Sequence, residues 1–250
     1  MPSFNPNQIR LANNRAILRY DRIGTKLFLN ALKAQAVSFD PKLMTDAYVE
    51  FYQYVFVDSA KREYDQIRKQ EFQKKDFTID SFFLSTWKAW IRQYVLDNLV
   101  TVIAGVNGNT LEQIREITAQ NIESGLSPTE SAKNLIELIG KKSRALAIAK
   151  TEGTTANNMG TKRSAEDWEL QTGTPLYKVW IHSGSYKDPR ISHINAQNKP
   201  IPKAEKFKIG TVEMEFPGDK RGGASEIINC LCSHSYMSER LARKRYPDSF

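Results

Sequence analysis

Cysteine and histidine are scarce in this chain, with two cysteines and three histidines among 250 residues. A disulfide framework is therefore excluded, because Cys230 and Cys232 stand one residue apart, a spacing that strains an intrachain bridge. Long apolar runs are missing as well. The best candidate, Leu96 to Val106, carries Asp97 and Asn98 within it and Asn107 at its margin, and falls short of the roughly 20 apolar residues that cross a bilayer. The opening Met1-Pro-Ser-Phe-Asn-Pro-Asn-Gln has neither a basic n-region nor an apolar h-region, so no secretory signal and no membrane partner are expected. No G-x-x-x-x-G-K-[ST] is present, which excludes a P-loop ATPase, and no G-x-S-x-G elbow marks a hydrolase nucleophile. No internal repeat is found.

What remains is an ordinary globular composition, 40% hydrophobic and 26% charged, with enough chain for one large domain or two small ones. The net charge of +8 is uneven: residues 1–140 hold 17 Lys+Arg against 16 Asp+Glu, and residues 141–250 hold 19 against 12, an excess of +1 and then +7. A basic second part favours an acidic partner, such as nucleic acid or an acidic protein face. A merely soluble basic surface fits the same numbers.

From Asn13 to about Gly140 the apolar period is helical. Leu11, Ile17, Leu18, Ile23, Leu27, Phe28 and Leu32 recur at steps of mostly three to five, and Asp40-Pro41 reads as an N-cap with proline at the first helical position. A second helix, carrying Tyr48, Phe51, Tyr52, Val55 and Phe56, runs towards Ile67. A third is expected to start near Asp80, to carry Phe82, Phe83, Trp87, Trp90, Ile91 and Val95, and to end before Gly105-Val-Asn-Gly-Asn109. These aromatic stripes read as packing surface. Two shorter helices follow: Thr110-Leu-Glu-Gln113 predicts a capping box closed by Gly125, and Ser127-Pro128-Thr-Glu130 predicts a second closed by Gly140. Their turn resembles a helix-turn-helix. The second helix, however, offers only Thr129, Glu130, Ser131, Lys133 and Asn134 at its start, a poor set for reading bases.

Ser143 to about Gln171 forms one more helix, with Glu152 set in a stripe of Ala145, Ile148, Ala149, Ala156, Met159 and Gly160. Such small residues let another backbone approach, and a carboxylate buried among them needs a partner; a rim-exposed Glu152 is the other reading. After Gly173-Thr-Pro175 the period becomes alternating. Strands are expected at Leu176–Ile181, at Lys206–Ile209 and Val212–Phe216 around a Gly210-Thr turn, and at Ile227–Tyr236 before a basic tail. The fold class expected is α+β: a mainly helical N-terminal part, residues 1–109, then a small module of helix and antiparallel sheet, residues 110–240, and a basic tail, residues 241–250.

On a continuous final strand, period two puts Cys230, Cys232 and His234 on one side. With His193 they make a tetrahedral donor set suited to zinc. Two buried thiols with a hydrogen-bonded histidine is the competing reading. Glu152 is expected to pair with Arg190 or His193 and so tie the sheet module to the helix. Glu213 and Glu215 form the E-x-E pattern of some ADP-ribosyltransferases, although alternation turns Val212, Met214 and Phe216 inward and the glutamates to water. His182, His193 and Asp188 with a serine would suit nucleophilic catalysis, but no strained elbow is present to expose one hydroxyl among many. Arg240, Arg243, Lys244 and Arg245 are the candidate contacts to nucleic acid, or else a solvated terminus.

Arg144-Ala-Leu-Ala-Ile-Ala-Lys-Thr151-Glu152, Ala156-Asn-Asn, Trp180, Asp188-Pro-Arg190-Ile-Ser-His193, Phe216-Pro-Gly-Asp219 and Ile228-Asn229-Cys230-Leu-Cys232 follow one another in an order and spacing that resembles the phage Mu F-like head morphogenesis domain. The match covers about Ser127 to Tyr236. Leu231, where the family often has a basic residue, and Lys150, where arginine is common, depart from it. The resemblance implies a minor head protein of a tailed phage, associated with the portal vertex and needed for assembly or DNA passage, without enzymatic activity and with no required cofactor. Implied partners are the portal protein, the major capsid or scaffolding protein and packaged DNA. The implied location is the head of the virion, after assembly in the host cytoplasm. The polar positions Glu152, Asp188, Arg190, His193 and Asn229 are then bracing residues.

Overall fold

The computed structural model describes residues 4–70, 81–124, 126–184 and 189–250. Asp80, Gly125 and Asp188 lie outside the described residues, as do the side chains of Phe82 and Phe83. In chain order the elements are α1 Pro6–Val37, α2 Pro41–Gln70, α3 Ser81–Asn98, α4 Val100–Glu123, α5 Pro128–Ile139, α6 Lys142–Thr172, β1 Leu176–Ile181, α7 Ile191–Ala196, β2 Pro200–Pro202, β3 Phe207–Ile209, β4 Val212–Met214, a 3-10 turn Lys220–Gly222, α8 Gly223–Ile227, β5 Ser233–Ser238 and α9 Glu239–Arg245. The fold is α+β, mainly helical at first and closing in a small module of helices and antiparallel sheet. No helix among the described residues is long and apolar enough to cross a membrane.

Helix ends follow local chemistry in several places. Asn5 caps α1 by accepting from Asn7 and Gln8 backbone N–H groups, and Ser127 with Glu130 forms the expected capping box at α5, which Gly140 closes. The helix break expected at Gly105–Asn109 is absent. Instead α4 runs from Val100 through both glycines to Glu123, and Thr110 is no cap but bonds back to the Val106 carbonyl at 2.7 Å. A Cβ at Gly105 or Gly108 would meet open space, while Ile103 and Val106 on the opposite face join the core. That burial outweighs the roughly 1 kcal/mol that each mid-helix glycine costs.

The core lies in the seam of α1, α2 and α6, with α3 and α4 packed against it; Tyr20, Phe28, Phe51, Phe56, Ala149 and Ala156 meet there. Gly160 permits this approach. A Cβ on it would come within 2.1 Å of Ser59 Oγ and 2.5 Å of the Phe56 carbonyl, so α6 runs almost backbone to backbone along α2.

The sheet has the order β2-β1-β5, all antiparallel, with Trp180 opposite His234 and Lys178 opposite Tyr236. Both of its faces are covered. Phe4, Ile9, Leu241 and Ala242 pack on Val179, Ile181 and Met237, and the β3–β4 hairpin with the cysteine loop packs on Trp180. Covering on two sides explains why every residue of β5 is buried. Within residues 241–250, expected as a basic tail, α9 continues to Arg245 and is seated on the sheet by Leu241 and Ala242.

The outer edge of β5 faces the helices and is closed by side chains. The Tyr236 N–H donates to Glu63 Oε1 of α2 at 2.8 Å, and the His234 N–H donates to Asn158 Oδ1 of α6 at 3.2 Å. An open strand edge is thereby satisfied without a further strand.

Candidate metal centre and its polar frame

One face of α6 carries the polar residues Thr151, Thr154 and Asn158, spaced three and four apart and so aligned. Each holds the backbone of the loop that leads into β5. Thr151 Oγ1 accepts from Asn229 N at 3.2 Å, Thr154 Oγ1 donates to the Cys230 carbonyl, and Asn158 Nδ2 donates to the Cys232 carbonyl at 3.0 Å. One residue to the side, Thr155 donates to the Gly218 carbonyl at 2.9 Å. Gly218 has φ of 88°, and a Cβ there would press on Thr155; the Pro217-Gly218 turn is thus fitted to the helix.

This grip changes the geometry expected of the cysteines. Strand β5 begins only at Ser233. Before it, α8 ends at Ile227 and Asn229 turns the chain with a φ of 55°. Cys230 and Cys232 therefore sit in a loop and not on the strand. Their sulfurs still converge, and they do so on His193: Nδ1 lies 3.7 Å from Cys230 Sγ and 3.4 Å from Cys232 Sγ. All three donor atoms fall within 4.8 Å of one another and all three residues are buried. The other ring nitrogen, Nε2, lies 2.8 Å from Glu226 Oε2, which Ser192 also contacts at 3.2 Å. Glu226 Oε2 thus accepts from the Nε2–H, which fixes the ring with Nδ1 facing both sulfurs.

One ring nitrogen can share a proton with only one thiol, yet two sulfurs lie within reach of it. Metal–sulfur bonds of about 2.3 Å and metal–nitrogen bonds of about 2.0–2.1 Å at the tetrahedral angle give a sulfur-to-nitrogen edge of about 3.6 Å, and the observed 3.4 and 3.7 Å bracket it. The group could hold a metal ion. Hydrogen bonding from the Cys232 thiol, aided by His193, holds Cys230 well below the usual thiol range. Cys232, as the donor of that bond and buried beside it, is pushed well above.

His234 does not join this group. Its Nδ1 donates to Asn158 Oδ1 at 2.9 Å and its Nε2 faces the Tyr236 hydroxyl at 3.2 Å. Burial first, then Lys178 and Lys162, push its pKa well below the ordinary value, so it is a neutral core histidine. Arg190 and Asn229 line the same cavity as His193 and the cysteines, together with His182. Arg190 is spent on the Ser225 and Ile228 carbonyls, at 2.6 and 2.8 Å. Asp188 lies outside the described residues.

Glu152 is buried, but its partners are neither Arg190 nor His193. Lys220 Nζ lies 2.9 and 3.1 Å from its two oxygens, and the Tyr52 hydroxyl donates to it. The reason is rotation: Thr151 faces the cysteine loop, and the next residue of a helix points about 100° away, into the α2 seam. Glu213 is exposed, whereas Glu215 is half-buried and lies 2.9 Å from both Lys162 and Arg221. Burial opposes its charge, but those two cations hold it down at about 2. Arg240, Arg243, Lys244 and Arg245 are exposed on α9; Arg243 pairs with Glu239 at 2.7 Å and lies over the Phe250 ring.

Sequence reasoning missed Glu226, Lys220, Thr154 and Glu63. Only Lys220 had a signal, since it directly follows Phe216-Pro-Gly-Asp219. No family model matches the chain, and neither a curated protein nor a solved structure matches it.

Proposed function

We propose that this chain is a minor head protein of a tailed phage, a non-enzymatic component of the portal vertex that acts in head morphogenesis or in DNA packaging and ejection. One observation carries the reading: the residues on which the resemblance to the Mu F-like domain rests are spent on holding the module together. Asn158 closes the β5 edge, Arg190 ties two loop carbonyls, and Asp219 accepts from Glu215 N at 2.7 Å and from Arg221 N at 3.1 Å. Trp180 is fully buried. Residues used in this way build a rigid part and leave little to turn over a substrate. A larger cavity of about 420 Å³, lined by Trp90, Tyr94, Lys162, Glu215, Lys220 and Arg221, supports the same view, since its cations are already paired with Glu152, Glu166, Glu215 and Asp219. The partners are then the portal protein first, the major capsid or scaffolding protein next, and the place of action is the head of the virion, reached from the host cytoplasm.

Zinc is the ion that suits the Cys230, Cys232 and His193 group, because two thiolates and an imidazole at tetrahedral edges favour it over hard cations. Its role is to clamp the cysteine loop to α7. Metal analysis of the purified chain should find one zinc per molecule, and none would leave the group as two thiols beside a histidine.

Co-expression with the portal protein of the same genome tests the main reading: the two should co-purify through size exclusion. The exposed Arg240, Lys244 and Arg245 on α9 favour a second reading, contact with packaged DNA. Steeply salt-dependent DNA affinity without portal binding would replace the first by the second.

A further inference from the structure

A tetrahedral ion held by three side chains needs a fourth donor, and we propose that this chain takes it from outside, as a carboxylate oxygen entering the cavity beside His193. The inference rests on the zinc reading above. Among the described residues the candidate group stops at three donors. His234 has both ring nitrogens engaged. Glu226 is committed to His193 and Ser192. His182 lines the cavity, but its Nδ1 accepts from Gly184 N at 3.1 Å; its neutral ring then carries the proton on Nε2 and has no lone pair to give.

Open space adjoins the three donors. A cavity of about 360 Å³ is lined by His182, Arg190, His193, Ser225, Cys230 and Cys232, among others, far more than the roughly 10–15 Å³ that one water needs. Three protein ligands with an open fourth position are the arrangement of exchangeable sites, whereas sites that only hold structure are closed by a fourth residue. Charge selects the incoming group. Two thiolates and a neutral imidazole cancel the double charge of the ion, and the cavity wall adds the positive charge of Arg190, whose Nε and Nη2 stay bonded to the Ser225 and Ile228 carbonyls, and the His182 N–H, which suit an anionic oxygen. The same carboxylate can come from a free small acid or from an Asp or Glu side chain of an assembly partner.

Cobalt(II) in place of zinc makes the site visible, because tetrahedral thiolate coordination gives intense ligand-field bands. The cobalt-loaded full chain, titrated with acetate at constant ionic strength, should show a saturable shift of these bands, and imidazole should produce a weaker one. Bands that ignore both ligands overturn the proposal, and if His182→Ala then becomes responsive, His182 is the internal fourth donor. A shift with imidazole but none with acetate overturns the choice of a carboxylate. A chain that gives no tetrahedral cobalt spectrum at all overturns the zinc reading itself, and this proposal with it. Where acetate does shift the bands, adding purified portal protein in acetate-free buffer separates the sources. The acetate-like spectrum appears if a partner side chain is the donor and does not if the ligand is a free acid.

Discussion

Replacing Glu63 by glutamine should change how stability depends on pH more than it changes stability itself. Glu63 projects from α2 to the edge of β5, where its Oε1 accepts from Tyr236 N and Ser235 Oγ, both at 2.8 Å. Burial pushes its carboxyl up from an ordinary 4.5 to about 7, against the pull of those two bonds and of Arg62. The folded chain therefore keeps a proton that the unfolded chain releases between these values. The contribution is complete below pH 4.5, falls as pH rises through 7, and then stays lost. At 1.36 kcal/mol per pH unit, the loss is about 3 kcal/mol. Glutamine retains an acceptor oxygen for Tyr236 and Ser235 but has no proton to lose, and any fixed cost of its extra N–H is the same at every pH. Urea unfolding of both proteins at pH 4.5 and pH 8 isolates the effect as a difference of differences. The variant should gain about 3 kcal/mol on the wild type between the two conditions. Parallel pH profiles would refute the reasoning, because they would mean that Glu63 does not titrate in this range.

Three further outcomes follow from the same packing. Gly160→Ala must part α6 from α2, since the new Cβ meets Ser59 and the Phe56 carbonyl; the cost is about 1–3 kcal/mol, and a melting temperature equal to the wild type's would refute so close a seam. In a double-mutant cycle Glu152 and Lys220 should couple by about 1 kcal/mol or more, whereas Glu152 and Arg190 should be additive, and the reverse would restore the partner expected from sequence. Glu226→Gln leaves the three donors in place but loosens the orientation of His193, so zinc affinity measured by chelator competition should fall about 10–100-fold. Unchanged affinity would make the His193–Glu226 contact irrelevant to the ion.

Periodicity made the helices and the first strands legible, because it records burial directly. The long α6 with Glu152 among small residues, the Ser127 capping box and the hairpin around Gly210 all appear where the pattern put them. What periodicity cannot record is the direction in which a buried polar group finds its partner. Lys220 reaches Glu152 from 68 residues away, and nothing in the spacing of either distinguishes it from Arg190. Gly105 and Gly108 misled for a related reason: their cost is local and visible in sequence, whereas the burial of Ile103 and Val106 that overrides it is tertiary.

The cysteines show most clearly how tertiary contacts redirect a local pattern. Alternation would align Cys230, Cys232 and His234 only along a chain extended through all three. Extension begins at Ser233 because Asn229 turns the backbone and α6 holds the Cys230 and Cys232 carbonyls. The same Asn158 that bonds the Cys232 carbonyl also takes the His234 ring, drawing that histidine to the helix and away from the sulfurs. A donor set of four in the sequence thus becomes three in the fold. The residue responsible is a helix asparagine that carries no metal-binding chemistry of its own. Asn158→Ala should therefore free His234 and its strand edge together, so loss of stability and any change at the metal site should appear in the same variant.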